Sequence, residues 1–186
     1  MFFINTYGVI LFSCLFSLIS PLTAFAKAEM NIEQRLFISF ENKVSDLVIT
    51  GMELLSNLDK MNGEISEEEL YNLALNVGEE FSTRSKILNQ IKVPEKLSDN
   101  VQSSLEVVKR DLSIGFTELE EGMLCFAKYL AGRDQTFYDE YIQKKNTGLR
   151  YIDGGLTSLY KVSLKLDIPV FRLNIIKKDI VNLMSG

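Results

Sequence analysis

Clustered carboxylates are the side chains of this 186-residue chain that come closest to a catalytic arrangement. One cluster lies at residues 67–69 and 79–80, and another at residues 118–121. Paired carboxylates can serve as general acid and general base in hydrolysis. Acidic runs on helices usually form the solvated face, however. The chain also lacks histidine, which removes the common neutral-pH base and the Ser-His-Asp and Cys-His mechanisms. We therefore predict a protein that is not an enzyme and has no catalytic residues.

A second candidate for chemistry is the segment of residues 59–70, DKMNGEISEEEL. Its second half resembles the calcium loop of EF-hand proteins, with the turn glycine, the apolar position and Glu69 in the place of the bidentate carboxylate. This resemblance implies a calcium site. Counted back from Gly63, however, the first and third ligand positions of such a loop, which require oxygen donors, fall on Leu58 and Lys60. Ser66 and Glu69 also form the sequence pattern of a helix capping box. We therefore predict a turn followed by a helix start, with no metal ion.

Other ligand-binding patterns are also missing from the sequence. Gly154-Gly155 lacks the lysine and the spacing of a phosphate-binding loop. The usual di-metal site of a helical bundle requires Glu-x-x-His motifs, which a chain without histidine cannot supply. The net charge is −5, and no basic patch is present to bind phosphate backbones. We predict no cofactor and no nucleic-acid partner.

Aromatic residues are concentrated where the third predicted helix ends and the fourth begins. A tyrosine can bury its ring while its hydroxyl stays in water, so such a group marks either an interaction surface or the edge of a core. We predict an interaction surface formed by Tyr129, Phe137, Tyr138 and Tyr141.

One cysteine follows the N-terminal segment. Cys125 lies between Leu124 and Phe126 in an apolar run and has no second thiol with which to form an internal disulfide. We predict a buried, unreactive thiol, with an intermolecular disulfide as the alternative.

Apolar residues recurring every three or four positions predict that most of the chain is helical. The predicted helices are Ala28–Leu58, Ser66 to Val93-Pro94, Pro94 to about Ala131, Gln135 to about Leu166, and Val170–Met184. Gly132 is expected to end the third helix, and Asp134 to cap the fourth.

Polar residues and glycines interrupt the apolar stripes of these helices. Arg84 does so in the second predicted helix, and Lys145 and Ser163 do so in the fourth. Gly154-Gly155 weakens the fourth helix, because glycine costs about 1 kcal/mol relative to alanine in a helix interior. A close helix crossing or a kink is predicted there.

Amphipathic helices joined by short connections bury their stripes most simply as an antiparallel bundle. We predict an all-α fold: an antiparallel four-helix bundle with long third and fourth helices, plus a short C-terminal fifth helix covering one end. Heptad-like stripes of this kind could close on themselves or pair between chains as a coiled coil.

The first charged residue of the chain is Lys27, and the preceding apolar stretch ends in Ala24-Phe25-Ala26. This pattern is typical of a secretory signal peptide with a small-residue cleavage site. We predict a signal peptide at residues 1–26 and a single helical-bundle domain at residues 27–186. The alternative is an uncleaved N-terminal anchor, because the apolar stretch is long enough to span a bilayer.

These features together predict an exported, non-enzymatic helical-bundle protein, either secreted or held at the cell surface or in the periplasm. It is expected to act by protein–protein interaction, with another protein or with a second copy of itself. One alternative is an extracytoplasmic sensor or carrier that binds a small apolar ligand between its helices. Another is a membrane-associated helical protein that contacts lipid through an uncleaved N-terminal segment.

Overall fold

Four long helices make up most of the described chain. The computed structural model describes residues 30–61 and 63–168, together with Ile180 and Leu183. The helices are α1 (Ile32–Met61), α2 (Glu67–Gln90), α3 (Asp99–Gly132) and α4 (Gln135–Lys165). They belong to one compact unit, Ile32–Gly186. The prediction of an all-α fold with long third and fourth helices is confirmed, with 34 residues in α3 and 31 in α4.

Helices that follow one another along the chain pack side by side and antiparallel, and α1 also contacts α4. At one end of the α1–α4 pair, Gln34 Nε2 donates to the Leu166 carbonyl at 2.8 Å. At the other end, Lys145 Nζ lies 3.1 Å from Asp59 Oδ2. The apolar stripes of all four helices therefore meet in one core. Its largest fully buried side chains include Phe37, Phe40, Phe81 and Phe116.

The predicted capping box at the start of α2 is confirmed. The Ser66 hydroxyl accepts a hydrogen bond from the Glu69 N–H, and the Glu69 carboxylate accepts one from the Ser66 N–H at 2.9 Å. The Ser66 hydroxyl also donates to the Glu69 carboxylate at 2.7 Å, and this bond together with that from the Ser66 N–H lowers the pKa of Glu69. Asp134 caps α4 as predicted, because its carboxylate accepts from the Thr136 N–H at 2.9 Å.

Replacing Ser66 with alanine is expected to lower the thermal midpoint by roughly 2–4 °C, since an N-cap hydroxyl satisfies an otherwise unpaired helix donor. Scanning calorimetry measures this shift. The matched control is Ser56→Ala in the interior of α1, where alanine is the better helix former and no loss is expected. Equal losses in the two variants would contradict a specific capping role.

The predicted start of the third helix at Pro94 is wrong, because α3 begins at Asp99. Residues 94–97 form a turn instead, in which the Leu97 N–H donates to the Pro94 carbonyl at 3.2 Å. Side chains from outside the turn bind its polar groups: the Ser98 N–H donates to Glu33 at 2.9 Å, and Gln102 donates to the Leu97 carbonyl at 2.6 Å. These bonds replace those that a continued helix would make. The second helix likewise ends at Gln90, ahead of Val93-Pro94.

The end of α3 also differs from the prediction, since Gly132 is still helical and the left-handed residue is Arg133, with φ of 56°. The Arg133 N–H donates to the Tyr129 carbonyl at 2.7 Å. The Arg133 side chain pairs with Glu67 and lies over the Tyr129 ring, 5.4 Å from its centroid. These contacts offset the cost of the left-handed backbone.

Glycines bring α3 and α4 into close contact. A Cβ on Gly155 would lie 2.8 Å from Leu112 Cγ, and a Cβ on Gly148 would lie 2.8 Å from the Gly115 carbonyl oxygen. The close crossing predicted from Gly154-Gly155 is therefore present at Gly155, whereas a Cβ on Gly154 would meet nothing within 4 Å. The helix continues through both glycines.

A hydrogen-bonded polar network joins α2 to α3 inside the bundle. Ser85 Oγ lies 2.8 Å from Ser113 Oγ and 3.2 Å from Thr117 Oγ1, and Asn89 Nδ2 donates to Ser113 Oγ at 3.0 Å. The buried hydroxyls of Ser85 and Ser113 thus have partners, as burial requires. The network fixes the register of α2 against α3.

Several predictions concern the ends of the chain. The first helix begins at Ile32 rather than Ala28, and its buried face starts only at Phe37. The predicted signal peptide lies outside the described residues. The predicted fifth helix does too, apart from Ile180, which is buried in the core, and Leu183, which packs against it. Within the described ranges, no helix is both long and apolar enough to cross a bilayer.

Candidate functional site

Four aromatic rings meet where α3 ends and α4 begins. We call Phe126, Tyr129, Tyr138 and Tyr141 the tyrosine cluster. The ring centroids of Tyr129 and Tyr138 are 5.0 Å apart, those of Tyr138 and Tyr141 are 5.9 Å apart, and those of Tyr141 and Phe126 are 4.8 Å apart. The two-residue connection between the helices places these rings together, since it turns the chain back directly after α3. Tilted aromatic pairs at these distances are favourable beyond the area that they bury.

Three of the four predicted surface residues belong to this cluster. Phe137 does not, because its ring faces Lys128, whose Nζ lies 5.3 Å from the ring centroid. Sequence reasoning missed Phe126, which is buried and connects the cluster to the core. Its position in the apolar stripe of α3 was visible in the sequence, but its contact with Tyr141 depends on how α3 and α4 pack.

Burial changes across the cluster. Phe126 and Tyr141 are buried, whereas Tyr129 and Tyr138 are half-buried at its outer side. Burial raises the pKa of the Tyr141 phenol, and the nearby Asp59 charge and Tyr138 raise it further. The tyrosine cluster therefore extends from the core to the surface. This arrangement is consistent with both interpretations of the sequence, in which the tyrosines form either the edge of a core or an interaction surface.

The raised pKa of Tyr141 predicts a loss of stability at high pH. Above the ordinary tyrosine pKa of about 10, the unfolded chain releases this proton while the folded chain keeps it. The free energy of unfolding should therefore decrease as pH rises beyond that point. Phenolate absorbance should show one late-titrating tyrosine, which Tyr141→Phe removes and Tyr160→Phe leaves in place. A wild-type titration without a late component would contradict the burial of this phenol.

An ion pair between buried Lys145 and exposed Asp59 lies beside the tyrosine cluster. Lys145 is only 6% exposed, and its Nζ donates to Asp59 Oδ2 at 3.1 Å. The same Nζ lies 5.9 Å from the centroid of the Tyr141 ring. This pair explains why a lysine interrupts the apolar stripe of α4: the carboxylate at the end of α1 compensates its burial.

The ion pair and three of the four rings of the tyrosine cluster line a pocket of about 300 Å³. The lining residues are Leu58, Asp59, Phe126, Tyr138, Tyr141, Ile142 and Lys145. Three aromatic rings and two aliphatic side chains thus surround one carboxylate and one ammonium group. The pocket is at the lower end of the size range of small-molecule sites.

The segments that meet at this end of the bundle are acidic. Residues 59–69 and 128–145 contain eight acidic and five basic residues, which accounts for most of the excess of acidic over basic residues in the chain. One of the basic residues, Lys145, is already paired with Asp59, and another, Arg133, is paired with Glu67. The tyrosine cluster therefore lies in an acidic surrounding.

Several carboxylates of the clusters considered for catalysis make ion pairs instead. Glu118 and Glu121 both bind Lys144, at 3.0 and 2.5 Å, and these contacts raise the pKa of Lys144. Glu80 binds Arg84 at 2.5 Å. Among the described residues, no three cysteine or acidic side chains are grouped closely enough to share a metal ion.

Cys125 is less buried than predicted. It is half-buried on the outer side of α3, and its thiol donates to Glu140 at 3.6 Å. Partial burial and the Glu140 carboxylate raise its pKa. The thiol therefore stays protonated at neutral pH, which lowers its reactivity.

Comparison with models of protein families, with curated proteins and with solved structures gives no match.

Proposed function

We propose that this protein is an exported, non-catalytic helical bundle that binds a protein partner through the tyrosine cluster. The observation that carries this proposal is the continuous series of tilted ring contacts from buried Tyr141 to half-buried Tyr138 and Tyr129. Tyrosines anchored in this way present a rigid, amphipathic contact area at low entropic cost, and they are enriched among residues that dominate binding energy.

The charge around the cluster favours a partner with a basic surface. An acidic end attracts a basic protein over the screening length of the solution and accelerates the first encounter. The Arg133–Glu67 pair beside Tyr129 could exchange partners across such an interface. The association rate should therefore decrease as salt concentration increases, while the dissociation rate changes little.

Site-specific photo-cross-linking tests this proposal in cells that export the full chain. Tyr138 is replaced by p-benzoylphenylalanine, and Tyr160 is replaced in the same way as the matched control. Tyr160 is a surface tyrosine of α4, 36% exposed and far along the helix from the cluster. We expect a discrete cross-link to a basic protein from position 138 but not from position 160. Equal products from both positions, or a product joining two copies of this chain, would overturn the proposal.

The partner identified in this way allows a direct affinity measurement. Tyr129→Ser with Tyr138→Ser should weaken binding at least about tenfold, as loss of interface anchors does. Tyr160→Ser provides the control for loss of a surface tyrosine. Thermal midpoints of all variants separate lost binding from lost folding.

The exported state is tested separately by the mass of the protein recovered from a secreting host. A soluble species outside the cytoplasm that begins at Lys27 is expected. A full-length species retained in the membrane would instead identify residues 7–26 as an anchor.

The alternative carrier function was inferred in part from Gly154-Gly155. Packing of Gly155 against Leu112 accounts for that glycine without any ligand. The lipid-contact alternative rests on the N-terminal segment, outside the described residues, and on the predicted C-terminal helix, of which only Ile180 and Leu183 are described.

A further inference from the structure

The ion pair in the pocket has unused hydrogen-bonding capacity on both of its members. An ammonium group has three N–H donors, and a carboxylate has two acceptor oxygens. Among the described residues, Lys145 Nζ donates only to Asp59 Oδ2, and Asp59 accepts no other side-chain hydrogen bond. A donor and an acceptor are thus available side by side where Lys145 and Asp59 line the pocket.

The two charges limit what can bind next to them. An anion placed against Lys145 also lies near the Asp59 carboxylate, and a cation placed against Asp59 also lies near the Lys145 ammonium. Because the two charged groups are only 3.1 Å apart, the attraction of an ion to one of them is largely cancelled by its repulsion from the other. A neutral group that accepts from the lysine and donates to the aspartate avoids this loss.

We infer that this pocket binds a small molecule in which a primary carboxamide is attached to an apolar or aromatic body. The carboxamide oxygen accepts from Lys145, and its NH₂ group donates to Asp59. The body contacts the rings of Phe126, Tyr138 and Tyr141 and the side chains of Leu58 and Ile142. The volume of about 300 Å³ suits one ring with its head group. The pocket shares Tyr138 and Tyr141 with the proposed protein-binding surface, but the isolated chain contains all of it, so its test does not require the protein partner.

A series of one-ring probes tests the inference on the isolated chain by saturation-transfer NMR and calorimetric titration. Benzamide has a hydrogen-bond acceptor and a hydrogen-bond donor in one head group, whereas N,N-dimethylbenzamide has only the acceptor. Benzoate carries a negative charge, and benzylamine carries a positive charge. Benzamide should bind with a Kd on the order of 1 mM, typical of a ligand of this size, and at least about fivefold more tightly than each of the others. Equal binding of all four, preference for either ion, or no binding would overturn the inference.

Substitutions locate the site. Removing Asp59 alone would leave the buried Lys145 ammonium unpaired, so the double variant Asp59→Leu with Lys145→Met is used, because it removes both charges. Toluene, which has the ring but no polar head group, serves as the reference. The double variant should lose the preference for benzamide over toluene. Lys161→Met, the same change at an exposed lysine of α4, should keep it. Retained benzamide selectivity in a folded double variant would place binding elsewhere and overturn the assignment.

A carboxamide could also come from an asparagine or glutamine side chain of a docked protein. N-acetyl-glutamine methylamide, which has the same head group on an aliphatic stem, represents that source. Tighter binding of benzamide than of this compound supports the small-molecule assignment. The reverse order would reassign the pocket to a partner's side chain.

Discussion

Replacing Phe116 with alanine is expected to lower the free energy of unfolding by about 3–5 kcal/mol. Phe116 is fully buried at the middle of α3, and its ring stacks on Phe81 of α2 with centroids 5.9 Å apart. It also fills the space above Gly51 of α1, where a Cβ would lie 2.6 Å from its Cε1. Truncation would therefore remove contacts to two other helices and leave a cavity that these helices cannot fill without moving.

Urea or guanidinium denaturation, with the slope compared between variants, measures this loss. The control is Val107→Ala on the same helix, where the side chain is 39% exposed and the loss should stay below about 0.5 kcal/mol. A domain of this kind has only about 5–15 kcal/mol of total stability, so the Phe116 variant should be close to unfolding on heating. A loss under 1 kcal/mol would show that Phe116 is not central to the core.

The sequence predicted the fold well wherever one local rule decided the outcome. The apolar period located all four described helices, and the Ser66 and Asp134 caps located two of their starts. Prediction from the sequence failed where contacts between residues distant in sequence determine the local structure. Glu33 stabilises the turn before α3 from 65 residues away, and Glu67 pairs with the left-handed Arg133. Such partners cannot be identified from local propensity.

The candidate site could be predicted only in part, for the same reason. Tyr129, Tyr138 and Tyr141 are near one another in sequence, so their grouping could be expected. Lys145 could be recognised as a polar interruption of a buried stripe. Its partner Asp59 is 86 residues away on a different helix, and the pocket exists only because α1 and α4 meet there.

The glycines between α3 and α4 offered a signal that was missed. Gly115 and Gly122 are seven residues apart on α3, and Gly148 and Gly155 are seven apart on α4. That spacing places each pair on one face of its helix, since seven residues make almost two turns. Matching glycine faces on two successive helices indicate close backbone contact, whereas Gly154-Gly155 alone does not distinguish a crossing from a kink.

Substituting alanine for Gly148 is the second change expected to have a large effect, with a loss of about 2 kcal/mol in the free energy of unfolding. Its new Cβ would lie 2.8 Å from both the Gly115 carbonyl oxygen and Leu119 Cγ. One of these obstacles is backbone, so α3 and α4 must move apart and loosen the contacts along their interface. This cost exceeds the gain of about 1 kcal/mol that alanine brings to a helix interior.

Gly154→Ala provides the matched control, because it is the same change on the same helix at a position where a Cβ would meet nothing within 4 Å. It should stabilise the protein by up to about 1 kcal/mol through helix propensity alone. Opposite signs for the two variants in chemical denaturation would establish that the glycines of α4 serve two different purposes. Stabilisation of both variants would mean that α3 and α4 adjust to the added methyl group at little cost. The close approach of the two backbones would then not explain the glycine at position 148.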